Sequence, residues 1–402
     1  MQKYFLISCL SLAAVLAAAA QQATINQVRN LNPLQVALLK WAPNLSATFP
    51  VGSQPESVAF DGANIWVVNY SSGNVSKLRA DDGALEGTFT IGVGPFGVAF
   101  DGANIWIASS VQNNILKLRA SDGVVQGTFN VGERPFGIAF DGANVWVALV
   151  LDNTVSKLRA SDGALLGTFS VGGFPAGVAF DGTNIWIANT LSKNVTKLRA
   201  SDGVLLGTFS VGSSPGSVAF DGSSIWVSNS GSNNVMKLRA RDGAVMGTFT
   251  VGSGPHGIAF DGLNIWVANS DSGTVTRLRA SDGAVQGTLP VGSNPIGVGF
   301  DGANIWVAND DVSLTKIRVS DGRQRSFAVD SYPAAMAFDG ANIWVTSYAH
   351  DTISKYRAVN GVHEATYQVG PEDWPLGIIF DGSSIWVANY LRDSVSKISP
   401  SP

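Results

Sequence analysis

The chain repeats itself. A Val-Gly pair opens a unit at 51, 131, 171, 211, 251, 291 and 369, and Ile91-Gly92 and Val329-Asp330 fill the same slot. The period is 40 residues, shortened to 38 between 291 and 329. One copy reads VGSGPHGIAFDGLNIWVANSDSGTVTRLRASDGAVQGTLP over 251–290. A period of this length means that one small unit is built many times, each copy burying its apolar surface against its neighbours. The 402 residues are therefore read as one array, although length alone suggests roughly two or three domains.

Each unit reads as four short strands. Within 251–290, Gly257-Ile258-Ala259-Phe260 forms strand A, and Asp261-Gly262 is a hairpin turn. Asn264 to Ala268 forms strand B, and the polar stretch Asn269 to Thr274 is a loop. Val275 to Arg279 forms strand C, Ser281-Asp282-Gly283 a second turn, and Ala284 to Pro290 strand D. Strands A and B are almost wholly apolar rather than alternating, so both of their faces are expected to be covered. Units of this kind stack radially as blades of an all-β propeller. The motif Pro-x-Gly-Val-Ala-Phe-Asp-Gly followed by Asn-Ile-Trp-Val-Ala-Asn resembles the YVTN/NHL-type β-propeller repeat over about residues 47–399. The resemblance implies the fold and leaves function open, because propellers host unrelated activities.

Strand arithmetic sets the blade number. The unit opening at 369 supplies A (Leu376–Phe380), B (Ile385–Asn389) and C (Val395–Ile398), then stops without a strand D. Upstream of the first unit, Ser46-Ala47-Thr48-Phe49-Pro50 matches the end of a strand D such as Gly127-Thr128-Phe129. This N-terminal strand is expected to close the last blade, giving a single nine-bladed propeller over 44–402. Nine exceeds the usual 4–8, but no strand is left over.

The segment before the ring has its own pattern. Lys3 precedes an uncharged apolar run from Phe5 to Ala20, ending Ala18-Ala19-Ala20. Residues 1–20 read as a secretory signal peptide, which places the protein in the periplasm or outside the cell. Residues 21–43 contain Asn32-Pro33 before an apolar run, a start signal for a short helix. The only Cys, Cys9, falls in the signal, so the mature chain is expected to hold without disulfides.

Variation between copies points to where a site belongs. Strands alternate direction within a blade, so the A–B and C–D turns share one face of the disc, here called lower. The B–C and D-to-A loops share the upper face. Phe-Asp-Gly recurs nine times at the lower face, where hairpin geometry explains the uniformity. The upper loops differ in every copy, so a specific site is expected there or at the channel mouth. Tyr70, Tyr348 and Tyr390 share one loop position in units one, eight and nine, which are neighbours in a closed ring. Tyr332 and Trp374 lie in the loops leading into units eight and nine, with His350, Asp351, Glu372, Asp373, Arg392 and Asp393 nearby. Tyr and Trp combine apolar area with a polar handle, so this arc reads as a platform for a small molecule, a glycan or a peptide or protein partner. The bland alternative is that the rings cover the closure seam. At the channel mouth, the x of Pro-x-Gly is Glu56, Phe96, Phe136, Ala176, Gly216, His256, Ile296, Ala334 and Leu376 in turn.

Catalysis is weakly signalled. Pro255-His256-Gly257-Ile258 resembles a stretch of the virginiamycin B lyase family, which implies a His, an acid and a divalent cation. The column offers Glu56 as the acid, but units one and six are almost across the ring. A lactonase-like metal site would need unlike acids and amides to converge. The nine Phe-Asp-Gly carboxylates, Asp61 to Asp381, read as turn caps with the strand C cations, as in Lys157-Leu158-Arg159, as partners. No Gly-rich phosphate loop or nucleophile elbow occurs, so no cofactor is expected. Charged residues are 14% with a formal charge of -4, which argues against nucleic acid. No apolar run after the signal is long enough to span a bilayer. The expectation is an exported, monomeric, non-catalytic binding scaffold.

Overall fold

The computed structural model describes residues 46–329, 332–370 and 373–399. The signal peptide and short helix expected within 1–43 lie outside these residues. The described chain forms nine four-stranded antiparallel sheets arranged as blades. Blade 4 is typical: A is Pro175–Phe180, B Asn184–Asn189, C Asn194–Arg199 and D Leu205–Ser210, hydrogen-bonded in that order. Strand B is buried throughout, C is buried in its middle, and D alternates exposed and half-buried residues. The sequence follows this gradient, because only the outermost strand keeps one face in water.

Strand A of blade 1 (Pro55–Phe60) touches strand A of blade 2 (Pro95–Phe100) on one side and that of blade 9 (Pro375–Phe380) on the other, so the ring is closed. Ser46–Pro50 is the outer strand of blade 9, antiparallel to Ser394–Ile398, with Thr48 opposite Ser396 and Phe49 opposite Val395. Blade 7 runs from Pro295 to Ala328; its two-residue deletion shortens the B–C loop by one residue and strand D by another, where the bulge of other blades is missing.

One buried assembly recurs in the blades. Trp186 has no exposed surface. Its ring packs on Phe209 at 5.7 Å, and the Lys197 ammonium sits 5.1 Å from the ring centre. The indole N–H donates to Asp181 Oδ2 at 2.7 Å, while Asp181 Oδ1 accepts the amides of Thr183 and Asn184. The Phe-Asp-Gly carboxylate thus caps its turn and satisfies a buried indole. The direct partners of these carboxylates are therefore not the strand C cations, which corrects the sequence expectation. Lys197 Nζ instead donates to the carbonyls of Ala240 and Arg241 in the next blade, at 2.6 and 2.9 Å. Arg119 pairs with Asp122 of its own C–D turn at 2.6 Å. Buried lysines are costly unless fully hydrogen-bonded; desolvation lowers the Lys197 pKa, and the two carbonyls tie blade to blade.

The Pro-x-Gly glycine has a packing reason. A Cβ on Gly377 would lie 2.8 Å from the Glu56 carbonyl of blade 1, and one on Gly137 would lie 2.6 Å from the Ala176 carbonyl. Blades 1, 5 and 8 carry Ser57, Ser217 and Ala335 here, and in blades 5 and 8 a strand B hydroxyl bridges instead. Ser228 Oγ accepts from the Ser217 amide and donates to the His256 carbonyl; Thr346 Oγ1 does the same between Ala335 and Leu376. Gly377→Ala is expected to cost about 1–3 kcal/mol by overpacking. Gly97→Ala, where a Cβ meets nothing within 4 Å, is expected to be near neutral. Urea denaturation of the two variants checks the contrast.

Candidate functional site on the upper face

In most blades a backbone hydrogen bond clasps the leading loop to the B–C loop. The Thr190 amide donates to the Phe174 carbonyl at 3.0 Å, and the Ser270 amide to the Gly254 carbonyl at 2.9 Å. The same clasp joins Tyr70 to Gln54 (2.8 Å), Tyr348 to Tyr332 (3.3 Å) and Tyr390 to Trp374 (3.1 Å). It therefore sets two aromatic rings side by side in blades 8 and 9. Tyr332 stacks on Tyr348 at 5.5 Å, Tyr348 meets Trp374 edge-on at 5.9 Å across the blade boundary, and Trp374 stacks on Tyr390 at 6.4 Å. The result is a continuous row of four rings. Tyr332 and Trp374 are each 44% exposed. Tyr70 follows in blade 1, close enough to help raise the Tyr390 pKa.

The loop backbone is left-handed where the row is most exposed. Tyr332 and Trp374 precede proline with φ of 43° and 46°, a left-handed conformation that bulky residues avoid. The same position is left-handed in every other blade, at Gln54, Gly94, Arg134, Phe174, Ser214, Gly254 and Asn294. The turn therefore belongs to the repeat, and in blades 8 and 9 it presents an aromatic ring.

The charged neighbours divide into loop-holders and rim groups. Asp351 Oδ1 accepts the amides of Asp373 and Trp374 at 2.8 and 3.0 Å, fixing the loop that carries Trp374. Asp393 accepts the Gln54 amide at 3.1 Å and the Ser53 hydroxyl at 3.0 Å. Both occupy the position of Asn113 and Asn153, which hold the following blade's loop in the same way. That column was the signal in the sequence for their structural role. Asp373 is buried, and burial followed by the nearby Asp351 raises its pKa, against the pull of Arg392. Arg392 Nε lies 3.6 Å from Asp373 Oδ1. His350 is exposed and Glu372 lies outside the described residues.

The channel-mouth residues do not assemble into one site. Glu56 is only 7% exposed, and burial pushes its carboxyl up to about 7. It is one of the groups that raise the Tyr390 pKa, after desolvation. Its position in the Pro-x-Gly column is legible in the sequence, but its burial near the Tyr390 end of the row is not. Phe136 is half-buried in blade 3, and the Phe96 side chain lies outside the described part of the structure. His256 stands in blade 6, where desolvation lowers its pKa against the opposing charge of Asp271. Neither Glu56 nor His256 perturbs the other, so the structure does not bring them together as an acid–base pair. Among the described residues, no three His, Cys, Asp or Glu side chains converge to hold a metal. Two lower-face clefts, one lined by Asp221, Leu263 and Arg277 and one by Asp101, Phe140 and Arg159, consist largely of turn residues that recur from blade to blade.

The blade 9–blade 1 seam has the same contacts as the other blade boundaries. Closure uses the parts found at other blades: Phe49 packs on Trp386 at 5.7 Å, as Phe169 packs on Trp146 at 5.7 Å. Lys397 Nζ donates to the Ala80 and Asp81 carbonyls as Lys157 does to those of Ala200 and Ser201. The Val51 amide donates to the Asp393 carbonyl as Val171 does to Asn153.

Fold and site together define a nine-bladed β-propeller whose upper face is differentiated in one arc. Among solved structures, the computationally designed protein Ika8 superposes with a TM-score of 0.63 at 14% identity, covering 75% of this chain and 94% of its own. The dihydro-heme d1 dehydrogenase NirN gives 0.62 at 14% identity, covering 80% and 77%. BamB from Moraxella catarrhalis gives 0.60 at 12% identity, covering 89% and 100%. At these identities the likeness shows the propeller fold alone. No family model matches the sequence, and no curated protein is close enough to count as a relative.

Proposed function

We propose that this protein is an exported, monomeric binding scaffold that recognises a ligand or partner on the upper face of blades 8, 9 and 1. The observation that carries this reading is the row Tyr332–Tyr348–Trp374–Tyr390, half-exposed and confined to one arc of the upper face, while ring closure uses contacts found at other blades. A flat run of aromatic faces supplies apolar contact area at low conformational cost, with phenol and indole groups to orient what binds. Export is supported by the N-terminal pattern of Lys3 and the uncharged run from Phe5 to Ala20. No helix among the described residues is long and apolar enough to cross a membrane.

The test replaces Tyr70, Trp374 and Tyr390 together, the tryptophan by Asn because Asn tolerates a left-handed backbone. Binding partners retained by the wild-type protein are expected to be lost, while stability changes by no more than about 1–2 kcal/mol, since relief of strain offsets lost ring contacts. Loss of cooperative unfolding in the triple variant would instead make the row a structural cover.

A further inference from the structure

The acid at the Tyr390 end of the row is unlike any other group in the ring. Glu56 is the one carboxyl in the Pro-x-Gly column. Its carboxyl makes no hydrogen bond or ion pair with the described residues, and desolvation is the cause of its raised pKa. Its charge is felt by the Tyr390 phenol, which also feels Tyr70. Around the arc the remaining charge is mostly negative: Asp310 acts on Tyr348, and Asp351 and Asp373 underlie the Trp374 loop. Arg392, the cation at this rim, lies on Asp373 rather than on Glu56. A buried carboxylate is stable only when paired, and aromatic faces attract weakly hydrated cations.

We infer that the arc receives an organic cation, an amine or quaternary ammonium head seated against Glu56, Tyr390 and Tyr70, with its apolar part along Trp374 and Tyr348. This rests on the upper-face reading above and adds the ligand class to it. An anion is disfavoured by Glu56 and the surrounding aspartates, and a bare divalent ion by the lack of converging oxygen ligands among the described residues. An uncharged sugar would use the rings and leave Glu56 unpaired.

Isothermal titration of the full-length protein at pH 8 tests this with three probes: choline, its uncharged isostere 3,3-dimethylbutan-1-ol, and cellobiose. Choline is expected to bind at least about tenfold more tightly than the isostere. Glu56→Gln is expected to weaken choline about tenfold while changing the isostere less than about threefold. In the wild type, affinity for choline should fall severalfold from pH 8 to pH 6 as Glu56 gains its proton, and this dependence should vanish in Glu56→Gln. The titratable group that feels Glu56 is the Tyr390 phenol, whose pKa is raised further above that range. Retained thermal unfolding shows that Glu56→Gln is folded. If cellobiose or the isostere binds as tightly as choline, and Trp374→Asn abolishes it, the cation assignment falls while the upper-face platform stands. No choline binding up to about 50 mM, or choline binding indifferent to Glu56→Gln, overturns the inference; the triple aromatic variant judges the platform separately.

Discussion

Deleting Ser46–Pro50 is expected to turn a closed disc into an open, association-prone one. The deletion strips the outer strand from blade 9 and exposes the edge of Ser394–Ile398, whose free amides and carbonyls invite pairing with another chain. It also removes Phe49, whose ring lies on Trp386 of blade 9 and against Gly83 of blade 1. Phe49→Ala alone should cost about 3 kcal/mol. The sharper form compares it with Phe169→Ala in blade 3, where the ring lies on Trp146 and Gly203 in the same way. Equal losses by chemical denaturation, within about 1 kcal/mol, are expected if the closing strand is as well seated as an ordinary one. A negligible loss at Phe49 would show that the N-terminal strand does not close the ring. Analytical ultracentrifugation is expected to show more self-association in the deletion variant than in the full-length chain.

The second large effect is a pH-dependent gain of stability in Glu56→Gln. The Glu56 carboxyl is raised from 4.5 to about 7 in the folded protein by burial. Between those values the folded state holds a proton that the unfolded state has lost, so the contribution of Glu56 to stability falls as pH rises through the window. Below pH 4 both states are protonated and the contribution is constant. Above pH 8 the folded protein carries a desolvated carboxylate, and the penalty reaches about 3 kcal/mol. Glutamine keeps the shape and cannot ionise. The variant is therefore expected to be more stable than wild type by about 3 kcal/mol at pH 8 and nearly equal to it at pH 4. Urea midpoints at the two pH values measure this. Equal stability at pH 8 would mean that Glu56 finds a partner in solution and would remove the reason for pairing it with a cation. The expected gain also has a functional sense, because residues that reduce stability in place are found where binding or catalysis needs them.

Most of the fold was legible in the residues. The strands of blade 6, Pro255–Phe260, Asn264–Asn269, Thr274–Arg279 and Val285–Pro290, differ from the sequence expectation by one or two residues at their ends. The reason is physical: alternation in strand D, its loss in A and B, and Asp-Gly turns each report a local constraint that acts the same way in every copy. The missing final strand and the surplus first strand matched in sequence because both occupy one environment. The arc of Tyr332, Tyr348, Trp374 and Tyr390 was also legible, as departures from a common pattern at corresponding positions.

Other features could not be read from the chain. The strand C lysines seemed natural partners for the Phe-Asp-Gly carboxylates, yet Lys197 reaches the next blade's carbonyls and Asp181 takes its own blade's indole. Asp351 and Asp393 looked like candidate ligand groups, and they are fasteners for the following loop. Sequence by itself determined the repeat, the strands, the turn chemistry and the nine-unit count, because these are set by contacts within a few tens of residues. Tertiary structure alone decided that Glu56 is buried near Tyr390. Its proximity to Tyr390 joins blade 1 to blade 9, and these blades are brought together only when the ring closes.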